Sequence, residues 1–306
     1  MPIYVVGHKI PDSDSICSAI ALAHLKNQIG EPAVATRLGE LSPETQYILD
    51  KFGFETPEYK TSYAGEKIFI VDHSEVGQAP DDVADATIVG IVDHHKLGDL
   101  TTSTPLECWI RPVGCSNTII KQMYDFYGIE IPKNVAGVML CAILSDTVIF
   151  KSPTCTPVDK AAVEDLARLA GVDDIVALGM EMFKVKSAVE GTPVRDLVKR
   201  DFKDFDMNGH KVGVGQLEVI DLAVFDSIKD DLQADIAALK EEGGRHSVLL
   251  LLTDIMREGS EMLVVSDSAD LTERAYGKPT TDGKVWLEGV LSRKKQVIPS
   301  LQDAFK

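Results

Sequence analysis

The chain has 306 residues, a formal net charge of −17, and 44% hydrophobic residues. This length suggests two domains, and the composition excludes a disordered protein. The acidic balance excludes a general nucleic-acid binder, because phosphate backbones require a basic surface, but it allows a small anion held by metal ions. No window reaches the roughly 18 apolar residues of a transmembrane helix, so we expect no membrane partner and a cytoplasmic location.

Short apolar strands alternate with helical patterns through the first two thirds of the chain. The predicted strands are Pro2–Gly7, Lys67–Asp72, Thr87–Asp93 and Glu107–Arg111. The predicted helices are about Ser15–Ile29, Ser116–Tyr127, Lys133–Ser145 and Val158–Ala170. This alternation predicts βαβ units, and therefore an α/β fold with a mainly parallel sheet flanked by helices.

A polar stretch of small residues around Val185–Pro193 predicts a flexible linker. Beyond it, the predicted strands are Lys211–Ile220, Ser247–Asp254 and Glu261–Ser266, and Leu222–Glu242 is predicted as one helix. We therefore predict an N-terminal domain over residues 1–188, a linker over 189–194 and a smaller α/β domain over 195–306.

The five cysteines are an odd number and form no CxxC pair. They are Cys17, Cys108, Cys115, Cys141 and Cys155. Neither a disulfide framework nor a thiolate zinc site is expected, and we interpret them as reduced, mostly buried thiols.

Acidic and histidine side chains follow three of the predicted strands, at the point where each strand ends. The three segments are Gly7–Asp14 (GHKIPDSD), Val71–His73 (VDH) and Val92–Lys96 (VDHHK). Ligands of open α/β sheets bind outside the carboxyl ends of the strands, so the segments should converge there. Each has an ordinary explanation by itself, since Asp-Ser-Asp is a common helix N-cap. Their joint occurrence predicts a metal site.

The candidate ligands combine imidazole nitrogens with carboxylate oxygens and contain no sulfur. They are His8, Asp12, Asp14, Asp72, His94 and Asp146. This mixture suits a divalent first-row ion such as Mn²⁺, and six side chains are too many for one tetrahedral ion. The aspartates would offset two divalent cations, with one carboxylate bridging them. Two ions about 3.5–4 Å apart can generate a hydroxide and hold both ends of a phosphoryl displacement.

The motifs GHKIPDSDS, VDH and VDHHK resemble those of the DHH phosphoesterase superfamily. Together with SRKKQ at 292–296, the pattern resembles family II inorganic pyrophosphatases from His8 to Gln296. The resemblance implies hydrolysis of pyrophosphate to two phosphates by a metal-bridging water at a dinuclear manganese site between two domains. It implies two Mn²⁺ or Co²⁺ ions per subunit, Asp72 as the bridge, and a further Mg²⁺ arriving with the substrate.

The same resemblance assigns roles to residues outside the ligand set. His95 is implied to contact the substrate and to assist proton transfer, and Lys203, Arg293 and Lys294 to bind phosphate. By itself a basic cluster such as 292–296 is usually a solvated surface, and Asp201 and Asp204 could simply pair with Lys203. A homodimer through the N-terminal domain is also implied, for which we expect the edge strand near Thr87–Val92.

Two other functions stay open. One is a DHH-type phosphodiesterase acting on short oligonucleotides or cyclic dinucleotides, because Gly243–His246 (GGRH) superficially resembles the glycine-rich, histidine-containing motif of those relatives. We favour the structural interpretation, in which the glycines end a helix and His246 starts a strand. The other is a non-catalytic metal- or nucleotide-binding regulator, which the complete ligand set disfavours.

Overall fold

The computed structural model describes residues 2–189 and 191–306. Contacts within the chain divide it into one unit that extends to Val185 and a second that starts at Lys186. Glu190, which belongs to the predicted linker, lies outside the described residues. Among the described helices, none combines the length and apolar character that crossing a membrane requires.

The first unit is built on a parallel sheet, as the alternating pattern predicts. Its described strands are β1 (Ile3–Val6), β2 (Ala33–Arg37), β3 (Glu58–Tyr59), β4 (Lys67–Val71), β5 (Thr87–Asp93) and β6 (Glu107–Ile110). Their order is β3-β2-β1-β4-β5-β6, and each neighbouring pair is parallel. Because β1, β4 and β5 are adjacent, their carboxyl ends lie side by side at one edge of the sheet.

Helices flank this sheet. The described helices of this region are α1 (Ser13–Gln28), α2 (Pro43–Phe52), α3 (Ser116–Tyr127), α4 (Lys133–Asp146), α5 (Pro157–Ala170) and α6 (Ile175–Lys186). The side chain of Ser42 caps α2, and Thr156 forms a capping box with Asp159 at α5. Helix α4 is buried from Val135 to Ser145 almost all round, which explains its nearly continuous apolar sequence.

The second unit contains a smaller, mixed sheet. Its described strands are β7 (Phe202–Met207), β8 (His210–Val219), β9 (Ser247–Asp254), β10 (Gly259–Ser266) and β11 (Lys284–Glu288). Its described helices are α7 (Val194–Lys199), α8 (Lys229–Glu242), α9 (Leu271–Tyr276) and α10 (Ile298–Ala304). In the order β11-β10-β9-β8-β7, only the β8–β9 pair is parallel among these strands. The predicted fold class, a mainly parallel α/β unit followed by a smaller α/β unit, is confirmed.

Two sequence-based expectations about individual elements are wrong. Leu222–Glu242 is not one helix: a short 3₁₀ turn covers Leu222–Phe225, where the Asp221 side chain accepts from the Ala223 N–H, and α8 begins only at Lys229. The segment Thr87–Val92 is not an edge strand, because β5 pairs with β4 on one side and β6 on the other. The edge on that side is β6.

Candidate metal centre

The predicted histidine ligands and the central aspartate lie one or two residues after a strand of the parallel sheet. His8 follows β1, Asp72 follows β4, and His94 and His95 follow β5. These strands are neighbours, so their end residues meet at the carboxyl edge.

Two helices supply the other carboxylates. Asp12 is the N-cap of α1, where its Oδ1 accepts from the Ser15 N–H at 2.9 Å, and Asp14 lies in the first turn. Asp146 is the last residue of α4. Asp12 can therefore cap the helix and also face the histidines, because only one of its two carboxylate oxygens is used by the cap.

Asp72 lies at the centre of the group. Its Oδ2 is 3.2 Å from His8 Nε2, and its Oδ1 is 3.4 Å from His94 Nε2. The two oxygens of one buried carboxylate thus face two different imidazoles.

The other carboxylates divide between these imidazoles. Asp12 Oδ2 is 3.6 Å from His8 Nε2. On the opposite side, His94 Nε2 is 3.8 Å from Asp146 Oδ2 and 3.9 Å from Asp14 Oδ2. All six candidate ligands are brought together, in two clusters that share Asp72.

Within the described residues, three groups of donor atoms could hold a metal ion, and the atoms of each group lie within 4.8 Å of one another. The groups are His8, Asp12 and Asp72; Asp72, His94 and His95; and Asp14, Cys115 and Asp146. The donors are mostly imidazole nitrogens and carboxylate oxygens, a set that suits Mn²⁺ and related divalent ions. Cys115 was not predicted as a member of this group, because the cysteines have no recognisable ligand spacing in the sequence.

The backbone of Asp72 is in the left-handed region, with φ at 66°. Its N–H donates to the Val92 carbonyl at 2.8 Å, which ties this residue to the end of β5. Such a conformation costs a non-glycine residue about 1–3 kcal/mol, and the residues that keep it cluster at functional sites. Aspartate tolerates it better than most residues do.

A set of donors behind Asp14 holds its carboxylate in place. Oδ1 accepts from Asn117 Nδ2 at 2.8 Å, Cys115 Sγ at 2.9 Å and Ser18 Oγ at 3.0 Å. Oδ2 accepts from the Ser116 N–H, at the start of α3, at 2.8 Å. Burial by itself would raise the pKa of Asp14, but His94 and these donors lower it below its usual value. These donors therefore fix the orientation of the carboxylate and favour its ionised form.

His95 is oriented by Asp93, the buried last residue of β5. Asp93 Oδ1 accepts from the His95 N–H at 2.9 Å and lies 2.8 Å from His95 Nδ1. Burial would raise the pKa of Asp93, but the bonds from His95 hold it below the usual range. His94 is oriented separately, because its Nδ1 lies 3.1 Å from the Val113 carbonyl. No role was predicted for Asp93 from the sequence.

The accumulated negative charge raises the proton affinity of the central residues. Burial by itself would lower the pKa of His8, but Asp12 and Asp72 together raise it to about 9. The pKa of Asp72 is raised by burial and then by Asp14 and Asp12. A site that holds protons this tightly is short of positive charge, which divalent cations would supply.

A further buried carboxylate supports the site from α2. Glu44 Oε2 accepts from Ser13 Oγ at 3.0 Å and from Ser145 Oγ at 2.9 Å. It thereby links the start of α1 to the end of α4, next to Asp14 and Asp146 respectively. No sequence signal pointed to Glu44, because α2 was not predicted.

The segment SRKKQ begins a helical turn in the second unit. Ser292 Oγ caps this turn by accepting from the Lys295 N–H at 3.2 Å. Gln296 Oε1 accepts from the Leu291 and Ser292 N–H groups, both at 2.9 Å. The first and last residues of the motif thus hold the loop that carries Arg293 and Lys294.

The acids that flank Lys203 have arginine partners. Asp201 Oδ1 pairs with Arg293 Nη2 at 2.7 Å. Asp204 binds Arg245 through both of its oxygens, at 2.6 and 2.9 Å. Lys203 lies opposite Val214 in the β7–β8 pair, and the Val214 carbonyl accepts from Arg293 Nη1 at 3.2 Å. Lys203 and Arg293 therefore belong to the same part of this sheet.

The chain matches known proteins over nearly its whole length. The family model of the DHH family N-terminal domain matches residues 2–143, and that of the DHHA2 domain matches 180–304. A probable manganese-dependent inorganic pyrophosphatase of Archaeoglobus fulgidus is 49% identical over 315 residues, covering 99% of this chain and 98% of the relative. The manganese-dependent inorganic pyrophosphatase of Methanothrix thermoacetophila is 46% identical, covering 99% and 98%. The chain belongs to the manganese-dependent inorganic pyrophosphatases.

Solved structures extend this comparison. The crystal structure of a Methanococcus jannaschii protein assigned to family II inorganic pyrophosphatases superposes with a TM-score of 0.88 at 44% identity, and 99% of each chain is covered. An exopolyphosphatase-related protein from Bacteroides fragilis, at 14% identity and a TM-score of 0.51, shares the fold alone.

In this member of the manganese-dependent inorganic pyrophosphatases, the GGRH segment has a structural role. Gly243 caps the end of α8, and Gly244 has a φ of 56°. Arg245 donates to the Leu239 carbonyl at 2.6 Å besides binding Asp204, and the His246 N–H donates to the Lys211 carbonyl just before β9. The expectation of a helix end followed by a strand is confirmed.

Proposed function

We propose that the chain hydrolyses inorganic pyrophosphate to two phosphates at a dinuclear manganese centre in its first unit. The observation that carries the proposal is the position of Asp72, whose two oxygens face His8 and His94 separately. A carboxylate in this arrangement can bridge two ions. Family membership indicates the reaction, since the relatives are named as inorganic pyrophosphatases.

The ligands divide naturally between two ions. His8, Asp12 and Asp72 would hold one, and Asp14, Asp72, His94 and Asp146 the other. Bound ions would supply an activated water and positive charge beside the phosphate. Either Mn²⁺ or Co²⁺ suits these donors, and a further Mg²⁺ would accompany the substrate and neutralise the leaving phosphate.

His95 and the second unit act on the substrate itself. Because His95 Nδ1 is bound to Asp93, His95 Nε2 is the nitrogen that would exchange a proton with a phosphate oxygen. Arg293, Lys294 and Lys203 would bind phosphate oxygens, the arginine through a planar fork and the lysines as point charges. The domain roles follow: metal binding and catalysis in 1–188, a linker at 189–194, and substrate binding in 195–306.

We also propose a homodimer through the N-terminal domain, with β6 as the contact strand in place of β5. Among the described strands β6 has β5 as its partner and nothing on its other side. Next to it, Phe126 is 69% exposed and its ring packs edge-on against Trp109. Phe126→Glu should shift the protein towards monomer in size-exclusion chromatography with light scattering, whereas Val176→Glu, at another exposed apolar position, should not. Unchanged mass for both would exclude this interface.

A cytoplasmic location is part of the proposal, because each of the five cysteines is a thiol, as a reducing compartment favours.

One experiment tests the central proposal. Protein stripped of metal and reloaded with Mn²⁺ or Co²⁺ should release phosphate rapidly from pyrophosphate and leave dinucleotides nearly untouched. Rapid dinucleotide cleavage with slow pyrophosphate turnover would identify a phosphodiesterase, and no turnover of either a regulator.

The substrate residues need their own variants. Arg293→Ala and Lys294→Ala should each lower kcat/KM for pyrophosphate while Mn²⁺ binding is retained. Wild-type kcat/KM in both variants would show that SRKKQ does not bind the substrate.

A further inference from the structure

We infer that Asp201 is a positioning residue, which presets the guanidinium of Arg293 so that one edge of it is ready to accept a phosphoryl group. The inference deepens the proposed function and rests on its assignment of Arg293 to the substrate. It starts from the way the five guanidinium N–H donors are distributed.

Three of these donors are used by the protein. Arg293 Nη1 donates to the Asp201 carbonyl at 2.7 Å and to the Val214 carbonyl at 3.2 Å. Nη2 donates to Asp201 Oδ1 at 2.7 Å. Asp201 thus occupies the terminal edge of the guanidinium, between Nη1 and Nη2, with one backbone and one side-chain oxygen.

The lateral edge of the Arg293 guanidinium is not used in this way. It consists of the Nε–H and the second Nη2–H, and neither donates to another residue within 2–189 or 191–306. Two parallel N–H groups on a planar fork match two oxygens of one phosphoryl group. Because the side chain is only 12% exposed, it is held by the protein and does not move freely in solvent.

Arg245 shows that the arrangement at Arg293 is not the general one in this unit. Its Nε and Nη2 donate to both oxygens of Asp204, so its lateral edge is filled by a carboxylate. The two aspartates lie three residues apart in the chain, yet they bind different edges of their arginines. Of these two pairings, the one at Arg293 leaves the lateral fork unfilled, so that it can take an anion.

Asp201 has two opposing effects on such an anion. Its contacts fix the guanidinium, which lowers the ordering cost of binding. Its negative charge repels the anion. Asp201→Asn removes the charge and keeps an oxygen at the same position, whereas Asp201→Ala removes both, so the two variants separate the effects. The carboxylate is 49% exposed, and neither substitution opens a cavity.

The test uses the Mn²⁺-loaded full chain, with pyrophosphate as substrate and inorganic phosphate as the probe of binding. Asp201→Ala should raise both KM and the phosphate Kd about tenfold, with a much smaller change in kcat. Asp201→Asn should have a KM equal to or below the wild-type value. Asp204→Ala, which breaks the matched Asp–Arg pair, should leave KM unchanged. Equal KM values for Asp201→Ala and Asp201→Asn, or a lowered KM for Asp201→Ala, would overturn the inference.

A double-mutant cycle identifies the residue through which Asp201 acts. In an Arg293→Ala background, Asp201→Ala should have no further effect on KM, because the group that it orients is gone. The same fold-change in both backgrounds would overturn the inference. If Arg293→Ala itself keeps the wild-type KM, the proposed role of Arg293 fails. If Arg293→Ala raises KM and Asp201→Ala does not, the proposed function stands and the positioning role alone fails.

Discussion

His95 Nδ1 lies 2.8 Å from Asp93 Oδ1, and the His95 backbone N–H donates to the same oxygen at 2.9 Å. One buried oxygen at the end of β5 therefore fixes both the ring and the backbone of the residue that would meet the substrate. Aspartate–histidine pairs of this kind determine which ring nitrogen carries the proton.

Asp93→Asn should lower kcat about 10- to 100-fold, because the amide cannot hold the imidazole in the same tautomer with the same strength. Mn²⁺ affinity, measured from the EPR signal of unbound Mn²⁺, should change far less. Asp254 is a matched control: it is also a buried strand-end aspartate, whose Oδ1 accepts from the Met256 and Arg257 N–H groups. Asp254→Asn should keep kcat, and wild-type kcat in Asp93→Asn would contradict the prediction.

Asn117→Leu should weaken Mn²⁺ binding about 10- to 100-fold, because Asp14 loses the 2.8 Å hydrogen bond from Nδ2. Isothermal titration of the metal-free protein measures this directly. Asn27 provides the control, since its side chain bonds the Ala23 and Ala33 backbone away from the centre. Asn27→Leu should lower the melting temperature without weakening Mn²⁺ binding. Equal Mn²⁺ affinities in the two variants would show that Asn117 does not support the metal centre.

The pKa of His8 predicts opposite pH dependences for stability and metal binding. Burial by itself would lower this pKa, but Asp12 and Asp72 raise it from 6.5 to about 9 in the metal-free protein. A pKa raised by folding stabilises the folded state fully below pH 6.5, and this contribution is lost as the pH rises through 9. Metal-free protein should therefore melt at a lower temperature at high pH on account of His8.

Metal binding needs the neutral imidazole, so ion uptake must displace this proton. Mn²⁺ affinity should rise between about pH 7 and pH 9, by up to about tenfold per unit, with proton release visible by calorimetry in buffers of different ionisation enthalpy. In His8→Gln this part of the pH dependence should disappear. A wild-type Kd that is constant over the window would contradict the assignment of His8 as a ligand.

Gln296→Ala should raise KM for pyrophosphate and destabilise the second unit by about 1–3 kcal/mol. The reason is that the Leu291 and Ser292 N–H groups lose their shared acceptor, and the Gly289 carbonyl loses a 2.7 Å donor. Thermal unfolding and steady-state kinetics measure the two effects. Gln302→Ala, at an exposed position of α10, should change neither. A wild-type KM in Gln296→Ala would show that the loop keeps its shape without this side chain.

The sequence predicted the parts of the centre that follow from local pattern. Apolar runs that end in Asp or His predict strands of a parallel sheet, and the carboxyl ends of such strands must meet, as His8, Asp72 and His94 do. The supporting residues were not predictable in this way. Asn117 donates to Asp14 across 103 positions of the chain, and Glu44 joins two helices from a third.

The errors have a similar cause. The order of strands in the sheet decides that β5 is internal, and no local pattern contains that order. The helix predicted from Leu222 fails because Asp221 forms a local side-chain bond that competes with the helical backbone.

The left-handed backbone of Asp72 restricts which residues can replace it in relatives that have lost the hydrolase activity. Alanine or glutamate at this position would carry a backbone cost before any ion is bound, whereas asparagine and glycine accept the conformation readily. Inactive descendants of this fold should therefore have Asn or Gly at the position of Asp72 more often than Ala or Glu. The backbone conformation at this position would thus still limit the choice of residue in lineages that no longer bind metal.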